Sequence, residues 1–189
     1  MKVANTVHLV VGGAILLLTG LAGATPFDKN EVWQKISFHI TSPNSAAGNT
    51  LRIVPAGLHI DNSPIEMNID GVVTGTDVAD LNSDRSPEVY IFVRQPGAAN
   101  RLALVAFSAN NRKSLSGVHL PELDEARAAS KGYCGNDQMA VVKGKFVRRF
   151  PLCNDQGQAT GKTRQIDYKL QPGEAGWQLK LHSVKTVVK

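Results

Sequence analysis

The sequence predicts an all-β chain, an antiparallel β-sandwich with one short helix, and three observations carry that expectation. Short segments alternate apolar and polar residues with period two, and turn residues punctuate them at close intervals. One segment, residues 89–94, is apolar on both alternating faces: Val89, Ile91 and Val93 point one way, Tyr90 and Phe92 the other. A strand of that kind belongs in the middle of a sheet stacked on a second layer.

In chain order, residues 1–24 come first. They carry Lys2, then an apolar run that ends Ala22-Gly23-Ala24, with small residues at the two positions a signal peptidase reads. The expectation is an export signal cleaved after Ala24, and a periplasmic location. The run is short for the roughly 20 residues a membrane span needs and no basic stop-transfer cluster follows it, which argues against an anchor. No cysteine follows it to take a lipid. Cleavage removes one of 21 basic residues and none of 16 acidic ones, leaving a net charge of +4. The remaining residues 25–189 read as one domain. Their mild charge is spread out, without a Lys/Arg block or interleaved aromatics, which argues against nucleic acid and suits an acidic partner.

Residues 36–40, 65–69 and 166–170 alternate as half-buried strands. Turns are expected at Pro43-Asn44, Gly48-Asn49, Asn62-Ser63-Pro64, Gly71, Gly75 and Pro172-Gly173. The apolar runs 89–94 and 102–108 read as an antiparallel pair joined by a protruding loop, 95–101, the candidate working surface. The single convincing helix starts at Pro121, places Glu122, Asp124 and Glu125 in its first turn, continues through alanines and stops before Gly132. Residues 139–142 and 146–150 form a hairpin about Lys143-Gly144-Lys145. The last strand, 177–181, pairs with 166–170 across residues 171–176.

The two cysteines, Cys134 and Cys153, flank the 139–150 hairpin, whose ends come together. In an exported chain they are expected to be bridged. No CxxC and no nearby histidine cluster suggests a reactive or metal-binding pair.

Three motifs resemble functional sites and fail on inspection. Residues 157–163, Gly-Gln-Ala-Thr-Gly-Lys-Thr, have three residues between glycines where a phosphate-binding loop has four, and they lie between strands. Residues 80–88, Asp-Leu-Asn-Ser-Asp-Arg-Ser-Pro-Glu, match a calcium loop at positions one, three and five. Arg85, however, stands where that loop needs a glycine, and position twelve is Ile91. Asp80 and Asn82 are therefore read as side chains that bond the local backbone. His39, His59, His119 and His182 are scattered, and Ser116-Gly117 lacks the preceding glycine of a nucleophile elbow. No catalytic residue, metal or cofactor is expected.

Several runs then stand together: Val78-Ala79-Asp80-Leu81-Asn82, Ser86-Pro87-Glu88, Ala106-Phe107-Ser108-Ala109-Asn110-Asn111, Lys113-Ser114-Leu115-Ser116, Lys131-Gly132-Tyr133 and Pro172-Gly173-Glu174-Ala175-Gly176-Trp177. In this order they resemble the bacterial periplasmic inhibitors of invertebrate-type lysozyme, over roughly residues 72–181. The resemblance implies a secreted β-sandwich, often dimeric, that pushes an exposed loop into the lysozyme cleft, where serine and tyrosine hydroxyls bond the catalytic acids. By register from residues 104–108, that family's Ser-Gly-Ser-Tyr-Gly corresponds to Ala98, Ala99, Asn100, Arg101 and Leu102, so both hydroxyls are absent here. The candidate lysozyme-binding loop is therefore Gly97, Ala98, Ala99, Asn100 and Arg101, with the Arg101 guanidinium in the tyrosine's place. The alternative is a non-catalytic periplasmic binding module of the same fold with a different ligand.

Overall fold

The computed structural model describes residues 25–97, 99–123, 127–174 and 176–188. The export signal read over 1–24, together with Ala98, Asp124 and Glu125, lies outside the described residues. Twelve strands and one helical turn follow in order: β1 Phe27–Trp33, β2 Ile36–Ser42, β3 Asn49–Ala56, β4 Ile65–Ile69, β5 Val72–Ala79, β6 Glu88–Arg94, β7 Leu102–Asn110, β8 Ser114–His119, α1 Arg127–Ser130, β9 Gln138–Val142, β10 Lys145–Cys153, β11 Ala159–Gly173 and β12 Gly176–Val188. The expected all-β sandwich with one short helix is what the chain forms.

Strands β1 to β4 make one sheet in sequence order, and the other eight make a second, ordered β5-β6-β7-β8-β12-β11-β10-β9. Every pairing is antiparallel except β8 with β12, which are parallel at Val118↔Trp177 and His119↔Gln178. The larger sheet curls until its edges β5 and β9 lie side by side. There a side chain takes the place of strand pairing: the Val141 amide donates to Asp77 Oδ2 at 2.7 Å.

Curling gives the molecule two cores, and β6 serves both. Inside the curl Tyr90 and Phe92 face Phe146 across centroid distances of 5.5 and 6.5 Å, with Ile166, Tyr168, Leu170 and Leu179 around them. Outside it Val89, Ile91 and Val93 meet Phe38, Ile40, Leu51 and Ile53 of the four-stranded sheet. Each fully buried side chain of this size contributes about 1.5–3 kcal/mol. The two-faced pattern of 89–94 is thus accounted for by one layer on each side.

Strands β1, β3, β5 and β8 were not anticipated, for identifiable reasons. Gly75, expected as a turn, is a bulge within β5, where the pairing to β6 skips from Val73 to Gly75. Pro55 sits in β3 beyond the last residue paired to β4, Ile53, so its missing N–H removes no bond on that side. β1 is a polar edge in which every residue is at least partly exposed. The helix is also shorter than expected: Pro121 and Glu122 are not helical, and four residues, Arg127–Ser130, remain, held by Ala129 in the inner core. Gly132 follows its end at φ 79°, as expected of a helix stop.

The two C-terminal hairpins are tighter than read. Val142 pairs with Lys145, so Lys143 and Gly144, at φ 49° and 70°, form the whole turn. Gly173 pairs with Gly176, so Pro172 and Gly173 belong to β11 and not to a turn. The loop at Gly157 is a plain hairpin connection closed by Asn154 N donating to Gln158 O at 2.9 Å. Among the described residues no helix is long and apolar enough to cross a membrane.

Candidate functional site

The 95–101 loop joins β6 to β7 where expected, and the Gln95 amide closes it by donating to Arg101 O at 2.9 Å. Pro96, Gly97, Asn100 and Arg101 are exposed, while Ala99 is half-buried. Gly97 and Asn100 take positive φ, 108° and 50°, which lets so short a connection reverse. Ala98 lies outside the described residues.

The loop was expected to protrude, yet its inner edge is pinned along the segment before β9. Asn136 N donates to Ala99 O at 2.8 Å, and the Asn100 and Asn136 side-chain amides meet at 3.2 Å. The guanidinium of Arg94 donates to Asn100 O at 2.8 Å. Gly135, at φ 85°, lies so close that a Cβ there would stand 1.7 Å from Ala99 O, so only glycine fits beneath the loop. One donor of the Asn100 side-chain amide is thus engaged by Asn136.

Beneath the loop Asp137, 1% exposed, gathers the surrounding donors. Its carboxylate accepts from Arg148 Nε at 2.8 Å, Tyr133 Oη at 2.6 Å and the Leu102 amide at 3.2 Å. Burial by itself would lower the pKa of Arg148, but the bond and charge of Asp137 outweigh it and hold the guanidinium above its ordinary value. Burial, and then donation to Asp137, push the Tyr133 phenol up to about 12, so it stays protonated and remains a donor. The Tyr133 ring packs edge-on against Phe150 at 4.8 Å and has two guanidinium neighbours, Arg101 at 5.5 Å and Arg148 at 5.4 Å.

The two arginines differ in their commitments. Arg148 is neutralised by Asp137. Arg101 is exposed and makes no ion pair among the described residues. A cavity of about 400 Å³ opens beside it, lined by Gln95, Arg101, Leu104, Leu120, Glu122 and Tyr133, with Arg148 at its floor.

The expected disulfide joins Cys134 to Cys153, with Cα atoms 6.0 Å apart. It ties the loop's platform, 133–137, to the end of β10, beside a backbone bond from Cys153 N to Gly132 O at 2.8 Å. Tyr133, Asp137 and Arg148 escaped the sequence reading as site residues. One signal pointed to them: Phe146, Arg148 and Phe150 alternate on one face of β10, so Arg148 enters an apolar core and needs a buried acid.

The acidic stretch 80–88 folds as a local turn. Asp80 accepts from the Asp84 and Arg85 amides at 3.1 and 2.9 Å, and Asp84 accepts from the Ser86 amide at 2.7 Å. Arg85 takes the positive φ expected of glycine there, 66°. Among the described residues no group of three or more His, Cys, Asp or Glu is placed to hold a metal ion. The imidazole of His39 meets Asp28 at 2.8 Å on the exposed face of β2, away from the loop. Compared with protein families, curated proteins and solved structures, the chain matches none.

Proposed function

We propose that this protein is a periplasmic inhibitor of lysozyme, of the invertebrate type, that inserts its 95–101 loop into the enzyme's active-site cleft. The observation that carries the reading is Arg101: an exposed guanidinium without an acidic partner among the described residues, on a loop whose backbone is already fixed from below. A pre-ordered loop loses little conformational freedom on docking, which favours affinity. Lysozyme clefts present two carboxylates, one of them ionised, and a guanidinium offers that ion a planar pair of donors. The ordered runs that resemble the inhibitor family support the same partner. Residues 1–24 would export the chain, and a homodimer accords with the family pattern.

Inhibition of invertebrate-, chicken- and goose-type lysozymes in a cell-wall lysis assay tests the proposal. Arg101→Ala is expected to weaken inhibition of a susceptible enzyme by ~2–5 kcal/mol, since truncation strands a buried carboxylate, while its melting temperature stays that of wild type. Equal inhibition by both proteins removes Arg101 from this role. The missing loop hydroxyls favour a second reading, a non-catalytic periplasmic binding module of the same fold, and absence of inhibition of every lysozyme class by wild type would select it.

A further inference from the structure

We propose that the cavity at the root of the 95–101 loop is a binding site for one carboxylate, delivered by an acidic side chain of the protein partner. As a statement of where the partner's acid sits, it rests on the inhibitor reading; the chemistry of the cavity rests on its own residues.

Among the described residues, three ionisable side chains that could bear a charge at neutral pH line the cavity: Arg101, Arg148 and Glu122. Arg148 already has its counter-ion in Asp137 at 2.8 Å. Arg101 and Glu122 face the same space, yet neither makes an ion pair among the described residues. One cation is therefore left for an incoming anion, with an acid on the rim. Glu122 offsets the Arg101 charge at longer range, so a singly charged group in contact with the guanidinium is favoured over a dianion, which Glu122 repels twice as strongly.

The remaining lining suits a carboxylate. The side-chain amide of Gln95 makes no hydrogen bond among the described residues and can donate to the second oxygen while Arg101 holds the first. Tyr133 is a positioning residue. Its hydroxyl is fixed by Asp137 at 2.6 Å and Arg148 at 3.3 Å, and the ring so placed draws the Arg101 guanidinium to 5.5 Å from its centre. Leu104, Leu120 and Pro121 offer apolar wall for the methylene groups that carry the acid.

The test uses the intact protein and N-acetylglutamate amide, followed by the NMR signals of Arg101 Nε–H and the Tyr133 ring protons. N-acetylglutamine amide is the uncharged control, and inorganic phosphate at pH 8 the dianion. Saturable shifts of both residues with the glutamate probe, none with glutamine and weaker binding of phosphate are expected. Arg101→Gln should lower affinity about tenfold, as loss of a charge-assisted pair does, and Tyr133→Phe should weaken binding while leaving the Arg101 signal responsive. Equal shifts with the glutamine probe, an affinity unchanged in Arg101→Gln as read from the Tyr133 ring protons, or tighter binding of phosphate would overturn the proposal. Lysozyme inhibition without any glutamate-induced shift overturns the cavity assignment alone. Glutamate binding without inhibition of any lysozyme preserves the cavity and removes the inhibitor reading.

Discussion

Strand β6 ends in two loops that use polar groups in opposite ways. Before it, residues 80–87 hold two aspartates and an asparagine whose oxygens accept from the loop's own amides, and the strand's first residue, Glu88, is fully buried. After it, residues 95–101 bond their backbone groups to one another and, through Ala99 O, to Asn136 N of the platform, and leave the Arg101 side chain uncommitted to any acid among the described residues. The first loop has the richer motif and the second has the free chemistry. Recognition requires groups left unsatisfied by the fold, so a count of acidic residues is a weaker guide than an account of where each hydrogen bond goes.

The largest effect expected from breaking this contrast comes at the platform. Asp137→Ala leaves Arg148 as a buried charge without its partner and frees the Tyr133 hydroxyl and the Leu102 amide, so stability should fall by ~3–5 kcal/mol in chemical denaturation. The amide signals of Ala99 and Asn100 should broaden or move at the same time. A loss below ~1 kcal/mol would mean that the loop is held by other contacts.

At the opposite end of β6 the contrast is sharpened by pH. Burial drives the Glu88 carboxyl up from 4.5 to about 7, against hydrogen bonds from the Leu81 amide and Ser108 hydroxyl, and the charges of Asp84 and Asp80 add to the rise. Between those two values the folded chain holds a proton that the unfolded chain has lost. The contribution of Glu88 to stability is therefore fully present below the unfolded value of 4.5 and is lost as pH rises toward about 7. The difference amounts to at most ~3 kcal/mol at 1.36 kcal/mol per pKa unit. Glu88→Gln should flatten that slope in melting curves taken across the range; an unchanged slope would assign it elsewhere.

The smallest effect concerns the acidic loop. Asp84→Ala removes the acceptor of the Ser86 amide and should cost ~1 kcal/mol, the usual worth of one such bond. Chelation, or millimolar calcium, should leave the melting temperature of the wild-type protein where it is, because the oxygens are already engaged. A rise with calcium that disappears in Asp84→Ala would show that the loop gives up its internal bonds to a metal.

Period-two alternation placed β2, β4 and the centre of β11, because a strand with one wet face has little freedom in where its apolar residues go, and apolar runs bounded by turn residues placed β6, β7 and the centre of β10. It missed β1 and β8, where most side chains remain partly exposed and pattern carries little information. It also took Gly75 for a turn, since local sequence does not distinguish a bulge from a chain reversal. The disulfide was legible from cysteine count, hairpin spacing and the expectation of export.

The candidate site divides the same way. The sequence by itself determined that a loop would stand between two core strands, that it would end in Arg101, and that strand 89–94 would be covered on both sides. Only the tertiary structure decided what lies beneath that loop. Asp137 and Tyr133 lie more than thirty positions from Arg101 in the sequence, and they reach it because the eight-stranded sheet curls and the disulfide-tied segment 133–137 folds under the hairpin. That curl depends on side chains such as Asp77 and Phe146 meeting partners from distant strands. Contacts at such separations leave no periodic trace in the sequence, because they arise from close packing between layers and not from the repeat of any one strand.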